Sequence, residues 1–192
     1  MDRIYTQVML AQISDQAANA SLAAPEKQCI PWVDRFCADD RDEKIPILTR
    51  SRYREILRHC WLRGADGMQI FNPNWFPNRP ERVAIVTEEI EDAVAVNDEM
   101  LAFRPILDRG RVMNTAKPKA EEDGPIWSGR QLGDTAIVRA FTQGKVAVKA
   151  QVEVADAHGR PVTAELDCPP QGQTYRITVA AGKPQVETVS EP

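Results

Sequence analysis

One segment decides the fold, and it reads Trp61-Leu62-Arg63-Gly64-Ala65-Asp66-Gly67-Met68-Gln69-Ile70-Phe71-Asn72. Before it, apolar residues recur at helical spacing over residues 49–63, which predicts a helix with one buried face. Gly64 can adopt the left-handed conformation that ends a helix. The apolar run at residues 67–71 then predicts a buried strand. The segment therefore indicates a helix that leads directly into a strand.

The same alternation of helices and strands extends in both directions from this segment. Residues 2–22 carry apolar side chains at steps of three, four and seven, which predicts a helix that Pro25 ends. Residues 28–33 predict a short buried strand, and residues 80–108 a long helix that Pro105 distorts or ends. A helix between two closely spaced strands is typical of a parallel sheet. We therefore predict an α/β region over residues 1–114.

Beyond residue 114 the pattern changes. Residues 115–125 are polar, charged and interrupted by Pro and Gly, which indicates a linker. Apolar and polar residues then alternate, and turn residues separate the runs, as in antiparallel hairpins. The alternating runs are residues 136–141, 146–154, 162–166 and 175–179. We predict a small antiparallel β-sandwich domain over residues 126–192.

Composition and charge exclude several classes of function. The 192 residues include 24 Lys and Arg against 28 Asp and Glu, a net charge of −4, so no nucleic-acid partner is predicted. No apolar run reaches the ~20 residues that a membrane span requires. The four cysteines form no CxxC pair, and the acidic residues 39–43 lack the spacing of a calcium loop. We therefore predict no metal and no cofactor.

The N-terminal residues bear on localisation. Met1 is followed by Asp2, Arg3 and a helical pattern, without the apolar core of a signal peptide. This favours a cytoplasmic protein. The alternative is a reading frame that starts inside a longer ancestor, in which case the compartment is unknown.

The order of elements resembles the end of a glycoside-hydrolase (β/α)8 barrel with its C-terminal β-sandwich. The specific element of this resemblance is Gly64 to Asn72, because a helix, Gly-Ala-Asp-Gly and an apolar strand commonly form the eighth strand in such enzymes. The resemblance implies that strand seven lies near residues 28–33 and strand eight at 67–71. The expected fold is an incomplete set of TIM-barrel-like βα units followed by the sandwich. A complete barrel needs about 250 residues.

Two parallel strands cannot close a barrel, and their free edges expose unpaired N–H and C=O groups. Three situations would resolve this problem. A partner chain completes the sheet, two copies of the chain pair as a homo-oligomer, or the sequence is the C-terminal product of a truncated or split gene.

Candidate site residues follow the two strands, because barrel enzymes gather their active site at the carboxyl ends of strands. Tryptophan offers a flat face to a sugar ring, and the polar side chains can bind its hydroxyls. The resemblance places Asp34 near the position of the catalytic nucleophile, although Glu is usual there and the partner acid would come from strand four. The residues leave open that the tryptophans are core or rim aromatics and that Asp34 and Arg35 form a surface pair. The predicted substrate-binding residues are Trp32, Arg35, Asn72, Asn74 and Trp75.

The resemblance implies a carbohydrate-associated protein that is not catalytically competent alone, because glycoside hydrolysis needs two carboxylates about 5–10 Å apart. The alternative function is that of a non-catalytic binding or assembly protein. In that case the β domain is the functional module and the α/β region packs on a partner chain.

Overall fold

The first half of the described chain consists of parallel βα units. The computed structural model of the chain describes residues 10–13, 16, 27–35, 48–70, 80–117 and 123–190. Strand β1 (Trp32–Val33) pairs in parallel with β2 (Gln69–Ile70), and helix α1 (Arg50–Leu62) connects them. Helix α2 (Pro80–Leu101) follows β2. The predicted parallel pairing across a helix is confirmed.

The helices begin and end where their sequences predict. Thr49 caps α1, because its hydroxyl accepts a hydrogen bond from the backbone N–H of Arg52. Gly64, with a φ of 115°, follows the last turn of α1. The predicted helix over residues 80–108 is divided into α2 and α3 (Arg104–Arg109). Pro105 explains the division, because it lacks the N–H that would bond the carbonyl of residue 101.

A series of ion pairs holds α1 against α2. Arg50 and Arg54 both bind the buried carboxylate of Asp92, with N–O distances of 2.8 and 2.6 Å. One turn beyond Arg54, Arg58 binds Glu99 at 2.8 Å. The partners occur in the same order along both helices, so the helices run parallel, as successive helices of βα units do. Of the predicted helix over residues 2–22, residues 10–13 and 16 are described, and they are helical.

The second half of the chain is antiparallel β structure, as predicted. A five-stranded sheet has the order β3-β4-β5-β8-β9, and a separate hairpin pairs β6 with β7. The bounds are β3 (Arg111–Val112), β4 (Pro125–Leu132), β5 (Thr135–Thr142), β6 (Val148–Ala155), β7 (Pro161–Cys168), β8 (Gln173–Ala180) and β9 (Lys183–Val189).

The five-stranded sheet is the middle of three layers. Alternate residues of β5 enter two different cores, because successive side chains of a strand point to opposite faces. Ile137 packs with apolar residues of the helices, whereas Ala136 and Val138 pack with those of the β6–β7 hairpin. The helices therefore cover one face of the sheet and the hairpin covers the other. The helical core thus includes residues from both sides of the predicted 115–125 linker, of which residues 118–122 lie outside the described residues.

Two long strands differ from the sequence prediction. Strand β4 includes the end of the predicted linker. The sequence pattern does not predict this strand, because its polar residues Ser128, Arg130 and Gln131 are buried in contacts with the rest of the protein. Strand β9 is an edge strand of the five-stranded sheet and is mostly exposed, so its sequence lacks the apolar residues that would predict a strand. In both strands burial does not follow the polar and apolar alternation on which the prediction relied.

The fold is mixed α/β with substantial antiparallel strand content. The residues that the structure describes form no closed barrel. None of the described helices combines the length and the apolar composition that crossing a membrane requires.

We predict that Ile137→Ala lowers the free energy of unfolding by about 2–5 kcal/mol, because it leaves a cavity where the sheet meets the helices. Urea unfolding followed by circular dichroism measures the loss. The control is Val146→Ala, at a side chain that is 75% exposed, for which we expect a change within about 0.5 kcal/mol. Equal effects of the two substitutions would contradict a shared core.

Candidate functional site

The parallel pair β1–β2 has helices on one face and an exposed aromatic side chain on the other. Val33 is fully buried in the core of the helices, whereas Ile30 and Trp32 are 49% and 54% exposed. The indole N–H of Trp32 donates a hydrogen bond to the Gln69 side chain of β2 at 2.9 Å. Trp32 therefore lies on the face of the sheet opposite the helices, and its indole is hydrogen-bonded to the neighbouring strand.

Arg35, a predicted substrate-binding residue, faces the helices. Its Nε donates to the carbonyl of Leu48 at 2.8 Å, and its Nη1 lies 2.5 Å from the Glu88 carboxylate of α2. Its backbone N–H donates to the carboxylate of Glu89 at 2.8 Å. Arg35 is 8% exposed, so its guanidinium braces the end of β1 against α2. Its role in binding a substrate stays a prediction.

The other predicted site residues are divided between described and undescribed parts of the chain. Asp34 directly follows β1 and is partly exposed at the carboxyl end of the strand. Asn72, Asn74 and Trp75 lie outside the described residues. The structure thus brings Trp32 and Asp34 to one end of the parallel sheet.

A second polar cluster, which sequence reasoning missed, lies between α1 and the five-stranded sheet. Glu55, His59 and Arg63 occur at intervals of four residues, so α1 and its C-cap residue Arg63 present all three on one face. The ring of His59 joins two of its neighbours, because Nδ1 lies 2.6 Å from the Ser128 hydroxyl of β4 and Nε2 lies 3.2 Å from the Glu55 carboxylate. Arg63 Nε also donates to the Ser128 hydroxyl, at 2.5 Å.

The protonation states in this cluster follow from burial and charge. Burial lowers the pKa of His59 to about 4 against the opposing effect of Glu55, so the imidazole is neutral at pH 7. Burial alone would raise the pKa of Glu55, but hydrogen bonds from His59 and Arg139 overcome it and hold that pKa well below its usual range. Glu55 is therefore an anion beside a neutral His59.

Arg139 of β5 supplies the counter-charge to Glu55. Its Nε and Nη2 donate to both oxygens of the Glu55 carboxylate, at distances of 2.5 to 3.1 Å. Its remaining N–H groups donate to the Thr174 hydroxyl and to the carbonyl of Gln171. The two charges are thus paired in the bidentate geometry that gives the strongest Arg–carboxylate contacts. This pair joins α1 to β5, β8 and the turn before β8.

Hydrogen bonds link Ser128 to His59 and His59 to Glu55. A serine, a histidine and a carboxylate linked in this order are the set of groups used in nucleophilic hydrolysis. Ser128 and His59 have no exposed surface, and Glu55 is 4% exposed. The Ser128 hydroxyl also accepts a hydrogen bond from Arg63, which reduces its nucleophilicity. The arrangement therefore fixes a helix on a sheet and gives a substrate no access. The Glu55–His59 spacing is visible in the sequence, but Ser128 lies 69 residues away and carries no local signal.

A cleft of about 600 Å³ opens where the end of α2 meets β8 and β9. Its lining is mainly apolar, with two carboxylates at one side. The lining residues are Ala95, Asp98, Glu99, Ala102, Phe103, Thr174, Val189 and Ser190. Within the described ranges, no three His, Cys, Asp or Glu side chains are grouped so that they could hold a metal ion.

Comparison with known proteins finds no relative of this chain. No family model matches the chain, and neither the curated proteins nor the solved structures contain a match. The function must therefore be argued from the geometry of the chain itself.

A substitution at Gly172, in the turn before β8, can test the packing of the buried cluster, because Gly172 lies against the Glu55–Arg139 pair. A Cβ atom at this position would stand 2.4 Å from Arg139 Nη2 and 2.6 Å from the Glu55 carboxylate. Gly182 has a similar φ, 72° against 76°, with nothing within 4 Å of a Cβ. The two glycines therefore share the backbone strain that alanine would introduce, and they differ in crowding.

We predict that Gly172→Ala destabilises the protein by at least about 2 kcal/mol more than Gly182→Ala, because the added methyl group displaces a buried ion pair. Urea unfolding of both variants measures the difference. Equal losses would show that the turn is not packed on the ion pair.

Proposed function

We propose that the chain is a glycoside-hydrolase-like C-terminal portion, associated with carbohydrate and not hydrolytic by itself. The observation that carries this proposal is the parallel β1–β2 pair, which has helices on one face and Trp32 on the other. Parallel strands are normally covered on both faces. In a TIM-barrel-like arrangement, the face that carries Trp32 would point to the inside of the barrel.

The residues near this face suit a sugar. A tryptophan that is 54% exposed offers its ring to the apolar side of a pyranose, and the hydrogen bond to Gln69 holds the ring in place. Asp34 follows Trp32 by two residues, at the strand end where barrel enzymes bind their substrates. Its carboxylate can accept hydrogen bonds from sugar hydroxyls. Together these residues form one side of a carbohydrate site.

The same geometry argues against hydrolysis by this chain alone. Cleavage of a glycosidic bond uses two carboxylates, on either side of the bond and about 5–10 Å apart. Asp34 can supply one of them. The nearby Glu88 and Glu89 of α2 bind Arg35 on the helical side of β1, so they do not face a sugar on the opposite side. The second carboxylate would come from further βα units placed on the face that carries Trp32.

A second candidate function is that of a non-catalytic binding or assembly protein, with the α/β region packed on a partner. The observation that favours it is an apolar stripe on the outer side of α2. Ile90, Val94 and Leu101 recur at helical spacing and are 45%, 54% and 46% exposed. A partner chain or a second copy that supplied βα units would cover this stripe.

We predict that the chain binds soluble polysaccharide and that Trp32→Ala weakens binding at least tenfold, because the stacking surface is lost. Trp32→Phe is the matched control, since it keeps one aromatic ring for stacking while it removes the pyrrole ring and the hydrogen bond to Gln69, so more of the affinity should remain than in Trp32→Ala. Affinity electrophoresis in a panel of polysaccharides and calorimetry with the best ligand measure binding. A reducing-sugar assay should detect no hydrolysis.

Retention of full affinity by Trp32→Ala would place the carbohydrate site elsewhere. A wild-type chain that binds no polysaccharide in the panel would contradict the carbohydrate proposal and favour the assembly function.

A further inference from the structure

His59 is a buried titratable group that the proposed carbohydrate site does not use. Its ring has no exposed surface and lies between Glu55 of its own helix and Ser128 of β4. The ring also meets Phe141 of β5 edge to face, with a centroid distance of 4.9 Å. His59 thus contacts both strands on which α1 packs.

The polar groups of His59 and Ser128 all have hydrogen-bond partners only when His59 is neutral. With neutral His59, Arg63 donates to the Ser128 hydroxyl, Ser128 donates to Nδ1, and Nε2–H donates to Glu55. When the imidazole is protonated, Nδ1 also becomes a donor. Ser128 must then accept from both Arg63 and His59, and its own proton loses its acceptor. A buried donor without a partner is strongly unfavourable.

Two cations that face His59 oppose its protonation, and the Glu55 carboxylate favours it. Arg63 at the C-cap of α1 and Arg139 on β5 are buried cations near the ring, and Glu55 is the nearby anion. Arg58, on the same helix, lies 3.8 Å from Glu55 but is bound to Glu99 of α2. Ser128 of β4 and Thr174 of β8 are uncharged. Protonation of His59 would therefore add a third cation around one carboxylate that already binds Arg139.

The β6–β7 side of the sheet does not depend on this cluster. The core between the sheet and the β6–β7 hairpin contains residues of β5 to β8, and none of its members comes from α1. Separation of α1 from the sheet would therefore leave that core in place.

We propose that His59 is a proton-operated latch: uptake of a proton releases α1 from β4 and β5, while the hairpin side of the sheet stays folded. The direction follows from linkage. The pKa of His59 is lower in the closed state than its ordinary value of about 6.5, so the latch is fully closed above that pH. The closed state loses stability as the pH falls from about 6.5 towards 4.

Hydrogen exchange, corrected for intrinsic rates, tests the latch between pH 6 and pH 5. We expect the opening constant of α1 amides to rise about sevenfold from pH 6 to pH 5, as uptake of one proton by a group whose pKa is about 6.5 in the open state and about 4 in the closed state requires. Amides of β6 and β7 should change less than twofold. His59→Gln, which keeps a donor and an acceptor but cannot titrate, should abolish the rise. His158→Gln, at the exposed turn between β6 and β7, should retain it.

Three results would overturn the latch. They are the same rise in His59→Gln, no rise in the wild-type chain, or an equal rise in β6 and β7, which would indicate global unfolding. Nitrogen-15 NMR of the wild-type imidazole is a second test that needs no variant. It should show a proton on Nε2 and none on Nδ1 at pH 7, and the opposite tautomer would contradict the hydrogen-bond directions.

Discussion

The contact between Glu55 and Arg139 is the interaction on which the arrangement of the layers depends. A carboxylate and a guanidinium lose most of their hydration at this position, and the loss is offset only if nearly all their hydrogen-bonding capacity is satisfied. The structure meets that condition with bonds from Arg139 to both oxygens of Glu55 and a further bond from His59. Helix α1 can satisfy these groups in one position on the sheet, so the pair gives the interface its specificity.

The turn before β8 and the contacts of α1 with α2 are consistent with a single position of α1 on the sheet. The turn before β8 passes so close to the pair that Gly172 leaves no space for a side chain. On its other side, α1 is fixed to α2 by arginines on successive turns. Because α1 also connects β1 to β2, the pair determines where the face that carries Trp32 lies relative to the β domain. The position of Trp32 thus depends on a buried interaction on the other side of α1.

Local patterns in the sequence predicted the parallel βα units and four of the antiparallel strands, because each signal lies within one segment. The break before α3 was equally predictable, since Pro105 produces it directly. Strand β4 was not predictable from its pattern, because its polar residues bind groups distant in sequence: Ser128 meets His59, and Arg130 binds the carbonyl of Ala65. The same reasoning explains why the position of Trp32 and Asp34 at the end of a strand was predictable from the sequence, whereas the position of Arg35 against α2 required the tertiary structure.

A double-mutant cycle on Glu55 and Arg139 tests the central claim most directly. We expect Glu55→Leu and Arg139→Met to lower the free energy of unfolding by about 3–5 kcal/mol each, because each leaves one buried charge without its partner. The double variant buries neither charge, so its loss should be smaller than the sum of the single losses by at least about 2 kcal/mol. Losses that add within about 0.5 kcal/mol would show that the two residues act independently and would contradict the account.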